Sequence, residues 1–192
     1  MITPPTEEPL TVSDVLEISS IDEDISANDI TLAYISLLIT SARKSAETIT
    51  RRVFITQTWE LYLDCFPTWE IELPFPPLQS ITSIKYIDND GVLQTMSSGD
   101  YASDIKSEPA VVTPVYGGSW PSARYQRNAV TVRFVAGYGL AGDVPGGIKT
   151  WMHMRIKTLY DNRDKFVLGT SFNQIDDSFI DGILDPYRVW TA

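Results

Sequence analysis

Asp29-Ile30-Thr31-Leu32-Ala33-Tyr34-Ile35-Ser36-Leu37-Leu38-Ile39-Thr40-Ser41-Ala42-Arg43-Lys44-Ser45-Ala46-Glu47-Thr48-Ile49-Thr50-Arg51-Arg52 is followed, after a short gap, by Thr58-Trp59-Glu60-Leu61-Tyr62-Leu63. The period of the apolar residues changes between these two runs, and that change sets the fold class. In the first, Ile30, Tyr34, Leu37, Leu38, Ser41, Ala42, Ser45, Ile49 and Val53 recur at steps of three and four, the spacing of one helix face. Asn28 or Asp29 is placed to cap it, and Arg43 with Glu47 reads as an i,i+4 pair on its exposed side. In the second run apolar and polar residues alternate, as in a strand with one buried face.

The alternation continues through Trp69-Glu70-Ile71-Glu72-Leu73, stops at Pro74, Pro76 and Pro77, and resumes from Ile81 to Ile87. Asp88-Asn89-Asp90-Gly91 reads as a hairpin turn into Val92 to Met96. Strands around Tyr101, Ala110 to Thr113 and Val130 to Val135 complete an expected antiparallel sheet of about five or more strands. Before the long helix, close-set prolines make residues 3–9 extended, and Ser13 is placed to cap a short helix reaching about Ser19. After the sheet, Ile148, Met152, Ile156, Leu159 and Tyr160 mark another helix ending near Asp164. The expected class is α+β: a small helical scaffold with one long amphipathic helix and an inserted antiparallel β-sheet. The expected segments are an N-terminal helical segment (1–55), the β insertion (56–140), the C-terminal helix (141–165), and a flexible loop with an aromatic tail (166–192).

Composition narrows the function. The 192 residues are 43% apolar, enough for a proper core, and no apolar cluster approaches the roughly 20 residues of a membrane span. No basic-then-apolar signal sequence is visible, and a lone Cys65 fits a reducing compartment. The formal charge is -10, and residues 1–29 hold Glu7, Glu8, Asp14, Glu17, Asp22, Glu23, Asp24 and Asp29 without one Lys or Arg. Such a surface does not grip nucleic acid, though duplex DNA can pass it without adhering.

Motifs with a chemical reading are few. Gly137-Tyr138-Gly139-Leu140-Ala141-Gly142 has the letters of a dinucleotide-binding loop, but Asp143-Val144-Pro145 delays the helix that would meet a pyrophosphate. A loop needing positive φ angles explains the glycines better. Reading Asp88–Gly91 as a calcium loop would put Tyr86 and Ser97 where acidic ligands belong. His153 is the only histidine, which rules out a His-rich zinc site and makes a Ser-His-Asp triad depend on this one residue. Glu60, Glu70 and Glu72 near Trp59 and Trp69 allow a glycosidase-like reading, yet alternation also puts the glutamates on the solvent face. Neither a cofactor nor a metal is expected.

The chain ends in Leu184-Asp185-Pro186-Tyr187-Arg188-Val189-Trp190, where two aromatics and an arginine call for a pocket. That pocket belongs either to the chain's own domain or to a partner. Basic residues gather at Arg43, Lys44, Arg51 and Arg52 and again at Lys149, Arg155, Lys157, Arg163 and Lys165, either as solvated faces or as contacts with the acidic surface of another copy.

Several segments together resemble the tailed-phage head-tail connector, or adaptor, family, described as a conserved phage protein possibly involved in DNA packaging. They are Leu37–Arg43 through Thr50-Arg51-Arg52, Ile55–Leu63, Ile71–Ser80, Gly99-Asp100-Tyr101, Ser119-Trp120-Pro121, Ala136–Gly139, Val144-Pro145 and the terminal Leu184–Trp190. The family typically has Gly after the helix's final Thr, where this chain has Arg51. The resemblance implies a non-enzymatic head-completion ring, commonly of about twelve subunits, under the portal of a phage or prophage virion, extending the DNA channel and joining head to tail. It implies as partners the portal protein, a tail-side connector or stopper, further copies of the chain, and DNA passing without specific binding, in the virion and in the host cytoplasm during assembly. On this reading Leu184, Pro186, Tyr187, Arg188 and Trp190 dock the portal, and Arg43, Arg51, Arg52 and Arg155 meet neighbouring copies. Deleting residues 184–192 is then expected to leave the fold intact. The alternative from the residues themselves is a carbohydrate-binding or hydrolytic phage accessory protein using the strand tryptophans and glutamates.

Overall fold

The computed structural model describes residues 1–18, 29–161 and 180–190, without the side chains of Asp29 and Ile30. Its two compact units are a helical one drawn from Glu7–Phe54 and Gly139–Arg188, and a β one drawn from Met1–Thr6, Ile55–Tyr138 and the end of the chain from Val189. Together they make an α+β protein.

The helical unit is built on α1 (Val12–Ile18), α2 (Asp29–Thr50) and α3 (Gly146–Asp161). Thr11, not Ser13, caps α1: the Asp14 amide donates to Thr11 Oγ1 at 3.1 Å and the Thr11 amide donates to Asp14 Oδ2 at 2.7 Å. This reciprocal pair satisfies two amides that the first helical turn leaves open. The cap foreseen at Asn28 or Asp29 and the end of α3 near Asp164 lie outside the described residues. Along α2 the buried face is Ile35, Leu38, Ile39, Ala42 and Ala46, so the stripe sits further round than the expected one. Leu37, Leu38 and Ile39 point about 100° apart in succession, and only two of the three fit the core; Leu37 is 68% exposed. On α3, Ile148, Trp151, Met152, Ile156 and Tyr160 are buried, and the Tyr160 ring lies 6.4 Å from that of Tyr34 on α2.

Helix α2 ends in a left-handed cap. Arg51 has φ +57°, and the Arg52 amide reaches back to the Glu47 carbonyl at 3.2 Å, the six-to-one bond of a Schellman motif. Arg51 therefore occupies the position where the resembled family typically has glycine, at the cost of crowding its own Cβ.

In the β unit, β1 (Gln57–Leu63), β2 (Ile71–Leu73), β3 (Leu78–Ile87), β4 (Leu93–Thr95), β5 (Tyr101–Asp104), β6 (Ala110–Pro114) and β7 (Val130–Ala136) form two antiparallel sheets instead of one. The first has the order β1-β7-β3-β4 and the second β2-β6-β5. The proline-rich link from Pro74 to Pro77, with Phe75 at φ +65°, turns the chain so that β2 pairs with β6 and never joins β3. Strand β7 is the middle of the larger sheet, and its Val130, Val132, Phe134 and Ala136 are all buried, as strict alternation requires. Register opposes Trp59 to Phe134 and Leu61 to Val132, which puts Glu60 and Arg133 together on the other face. The extended N-terminus adds one antiparallel bridge, Thr3 to Thr58, before Pro4 and Pro5 end the pairing.

Candidate functional site

Ile180 and Leu184 belong to the core of the helical unit, Leu184 completely so, on a 3₁₀ helix spanning Gly182–Tyr187. The Tyr187 carbonyl accepts from Arg52 Nε at 2.6 Å, and its hydroxyl lies so close to Gly147 that a Cβ there would sit 2.7 Å away. Arg188 pairs with Asp185 at 3.2 Å. Beyond it, Val189 is buried and Trp190 is 75% exposed. Among the five expected docking residues, Pro186 and Trp190 are the exposed ones, and deleting residues 184–192 would remove a core side chain.

Arg43 was expected on an exposed face and is instead 5% exposed. Its Nε donates to Glu8 at 2.6 Å and its Nη1 to Glu47 at 2.8 Å, while the other Glu47 oxygen accepts the Phe54 amide at 3.0 Å. Burial works against its charge, but the Glu8 hydrogen bonds and the Glu47 carboxylate outweigh that and raise the guanidinium pKa. Arg52 is buried too. The expected i,i+4 pair thus forms, but it fastens the residue 7–8 segment and the turn after α2 to the helix. Arg51 is exposed and Arg155 half-buried.

The acidic N-terminal segment is likewise partly structural. Glu8 pairs with Arg43, Glu7 accepts the Ala141 amide, and Asp14 belongs to the α1 cap. Hydrogen bonds from the Thr11 backbone and side chain hold the Asp14 carboxyl below the usual carboxylate range. Burial lowers the His153 pKa, partly opposed by Asp14.

The glycine loop is shaped by packing. Gly137 has φ +125° and an added Cβ would lie 2.6 Å from the Ile55 carbonyl oxygen, while Gly139 has φ +141°. Only a 3₁₀ turn at Ala141–Asp143 begins inside the motif, and α3 does not start until Gly146. Asp88 accepts the Val92 amide at 2.9 Å and the Gln94 side chain at 2.8 Å, spending its carboxylate on the hairpin. No group of three His, Cys, Asp or Glu converges among the described residues. Glu60 accepts from the Tyr62 hydroxyl and, at 2.8 Å, from Arg133, which together hold its carboxyl low. A glycosidase acid needs its pKa raised. Trp59 lies on the opposite face, its ring 4.3 Å from that of Phe75.

Two surfaces stand out, a groove that escaped the sequence reading and a second one around the Trp69 already named in the glycosidase-like reading. In the helical unit, a groove of about 680 Å³ runs along α2 beside α3, lined by Leu37, Ser41, Lys44, Ile49, Trp151 and Arg155 among others. Its Trp151 is fixed by a hydrogen bond from Nε1 to Asp181 at 3.1 Å. In the β unit, Trp69 is 80% exposed, and its carbonyl accepts Trp120 Nε1 at 3.1 Å. Trp120 stacks on Phe66 with ring centres 5.0 Å apart, and Phe66 meets Tyr86 edge-on at 5.6 Å. The Trp69 backbone is thus tied to a stacked aromatic pair. The signal for that pair, Phe66 and Trp120 far apart in sequence, has no local period to betray it.

With that geometry in view, the chain can be compared with solved structures. It superimposes over 100% of its length on 97% of a chain in the neck of an empty GTA particle computed with C6 symmetry, at TM-score 0.75 and 15% identity. The two share a fold. A chain in the virion of a native gene transfer agent (GTA) particle matches over the same shares at TM-score 0.72 and 15% identity. One in the neck of a native GTA particle computed with C12 symmetry does so at TM-score 0.64 and 16% identity. No protein-family model and no curated protein matches the chain.

Proposed function

We propose that the chain is a structural head-tail connector of a phage or prophage-derived virion, without enzymatic activity, forming a ring under the portal that carries the DNA channel towards the tail. The observation that supports this reading is the end-to-end likeness of the fold to chains in GTA necks. Its partners are the portal protein, a tail-side connector or stopper, and further copies of itself, with DNA passing and not held. It works in the virion after assembly in the host cytoplasm.

Docking on the portal is assigned to the exposed end of the tail, Pro186 and Trp190, with Arg188 beside them. Leu184 and Tyr187 are held inside the helical unit and are not assigned to docking. Repetition around a ring lets weak individual tails bind strongly together. Of the four arginines assigned to contacts between copies, Arg51 is exposed and Arg155 half-buried, whereas Arg43 and Arg52 are buried in their own unit.

Electron microscopy of the purified chain with and without its portal tests this reading. A ring added to the portal is expected, and it should be lost with Trp190→Ala while the chain's melting temperature stays put. A chain that leaves the portal bare contradicts the proposal.

A further inference from the structure

The β unit displays Trp69 with Glu70 and Glu72 exposed next to it, and the helical unit carries a groove with Lys44 and Arg155 on its walls. A tryptophan left in water forfeits the burial of about 150 to 250 Å², so keeping one exposed makes sense when something covers it. Here Trp120 holds the Trp69 carbonyl and is itself stacked on Phe66. The groove offers an apolar wall of Leu37, Ile49 and Trp151, its one lining carboxylate among the described residues, Asp181, accepts from Trp151, and its 680 Å³ has room for an indole and the residues around it. The Lys44 ammonium makes no ion pair among the described residues.

We infer that the Trp69 ridge of one copy seats in the Lys44 groove of the next, with Glu70 and Glu72 facing Lys44 and Arg155. The occupant is a second copy because size, apolar character and charge sign match between two surfaces that every copy carries. Since the two surfaces differ, the contact is head to tail, the kind that closes into rings. This inference rests on the ring reading above and specifies which faces make the ring.

The test uses full-length chain with the exposed Cys65 changed to Ser, in two versions, Thr68→Cys and Ser41→Cys. Thr68 adjoins the ridge and Ser41 lines the groove, both exposed, so neither change removes a proposed contact. Mixed and oxidised, the two versions should give a cross-linked pair that neither gives alone. Trp69→Ala or Lys44→Glu should reduce its yield by about tenfold, and Glu70→Lys should restore the Lys44→Glu chain. Symmetric dimers of either version, or a yield indifferent to Trp69→Ala, overturn the inference. If microscopy shows rings but the mixture does not cross-link, this contact is wrong and the ring reading stands. If there are neither rings nor cross-links, both fall. A Lys44→Glu chain that melts several degrees early shows that the groove is filled by its own chain, which also overturns it.

Discussion

Arg43 in the helical unit and Arg133 in the β unit each pair with glutamate at hydrogen-bonding distance, yet the Arg43 side chain is 6% exposed and that of Arg133 is 43% exposed. The tryptophans run the other way: Trp151 of the helical unit is buried with its Nε1 bonded to Asp181, while Trp69 of the β unit stands in solvent. One unit uses charge to hold itself together and the other keeps aromatic surface for something else. The lesson is that residue type alone does not tell a structural ion pair from a surface one, or a core tryptophan from an anchor.

The contrast breaks first at the arginines. Arg43→Ala strands Glu8 and Glu47 without their cation and should cost about 3 kcal/mol in chemical denaturation. Arg133→Ala should cost about 0.2 to 1 kcal/mol, because its guanidinium keeps 43% of its side-chain exposure to water while Glu60 keeps 11%. Equal losses would mean that the two pairs do not differ as their burial says.

The tail gives the next test, within one segment. Leu184→Ala empties a site with no exposure and should cost about 2 to 5 kcal/mol. Trp190→Ala should stay within about 0.5 kcal/mol of the parent chain. Thermal melts of both variants separate the anchored half of the tail from the displayed half.

A smaller effect is expected at the α1 cap. Asp14→Asn should cost about 0.3 to 1 kcal/mol at neutral pH, the loss of a negative charge in the first turn. Because the folded pKa of Asp14 lies below its ordinary value of 3.8, its stabilisation is present above that value and is lost as pH falls through the folded pKa. Denaturation curves of the two chains should therefore converge in acid. A change of similar size has the opposite sign: Arg51→Gly relieves a left-handed φ and should stabilise the chain by about 0.5 to 1 kcal/mol, since part of the relief is lost to the freer unfolded chain. If the same variant forms rings less well, Arg51 is retained for assembly.

Much of the fold was legible in the sequence because it is local. Alternation located β1, β2 and β3, the Asp88–Gly91 turn located β4, and β7 kept its pattern without a break. The division into two sheets was not legible, because which strand pairs with β2 depends on residues about forty positions away, at β6. The α2 stripe was misjudged at Leu37 and Ser41, where three apolar residues in a row leave the facing direction open. At the tail the sequence called for a pocket, and part of that pocket is the chain's own Gly147 and Arg52. Local pattern has no means of telling an internal pocket from a partner's. The candidate surfaces were least legible, since the groove and the aromatic pair tied to Trp69 assemble from distant segments.

The most direct test of the account is symmetry-averaged cryo-electron microscopy of purified particles carrying a tagged copy of this chain. The account predicts a closed ring of the chain at the junction of head and tail, with Trp190 against the portal. Particles that contain no such ring, or that form fully without the chain, would contradict it.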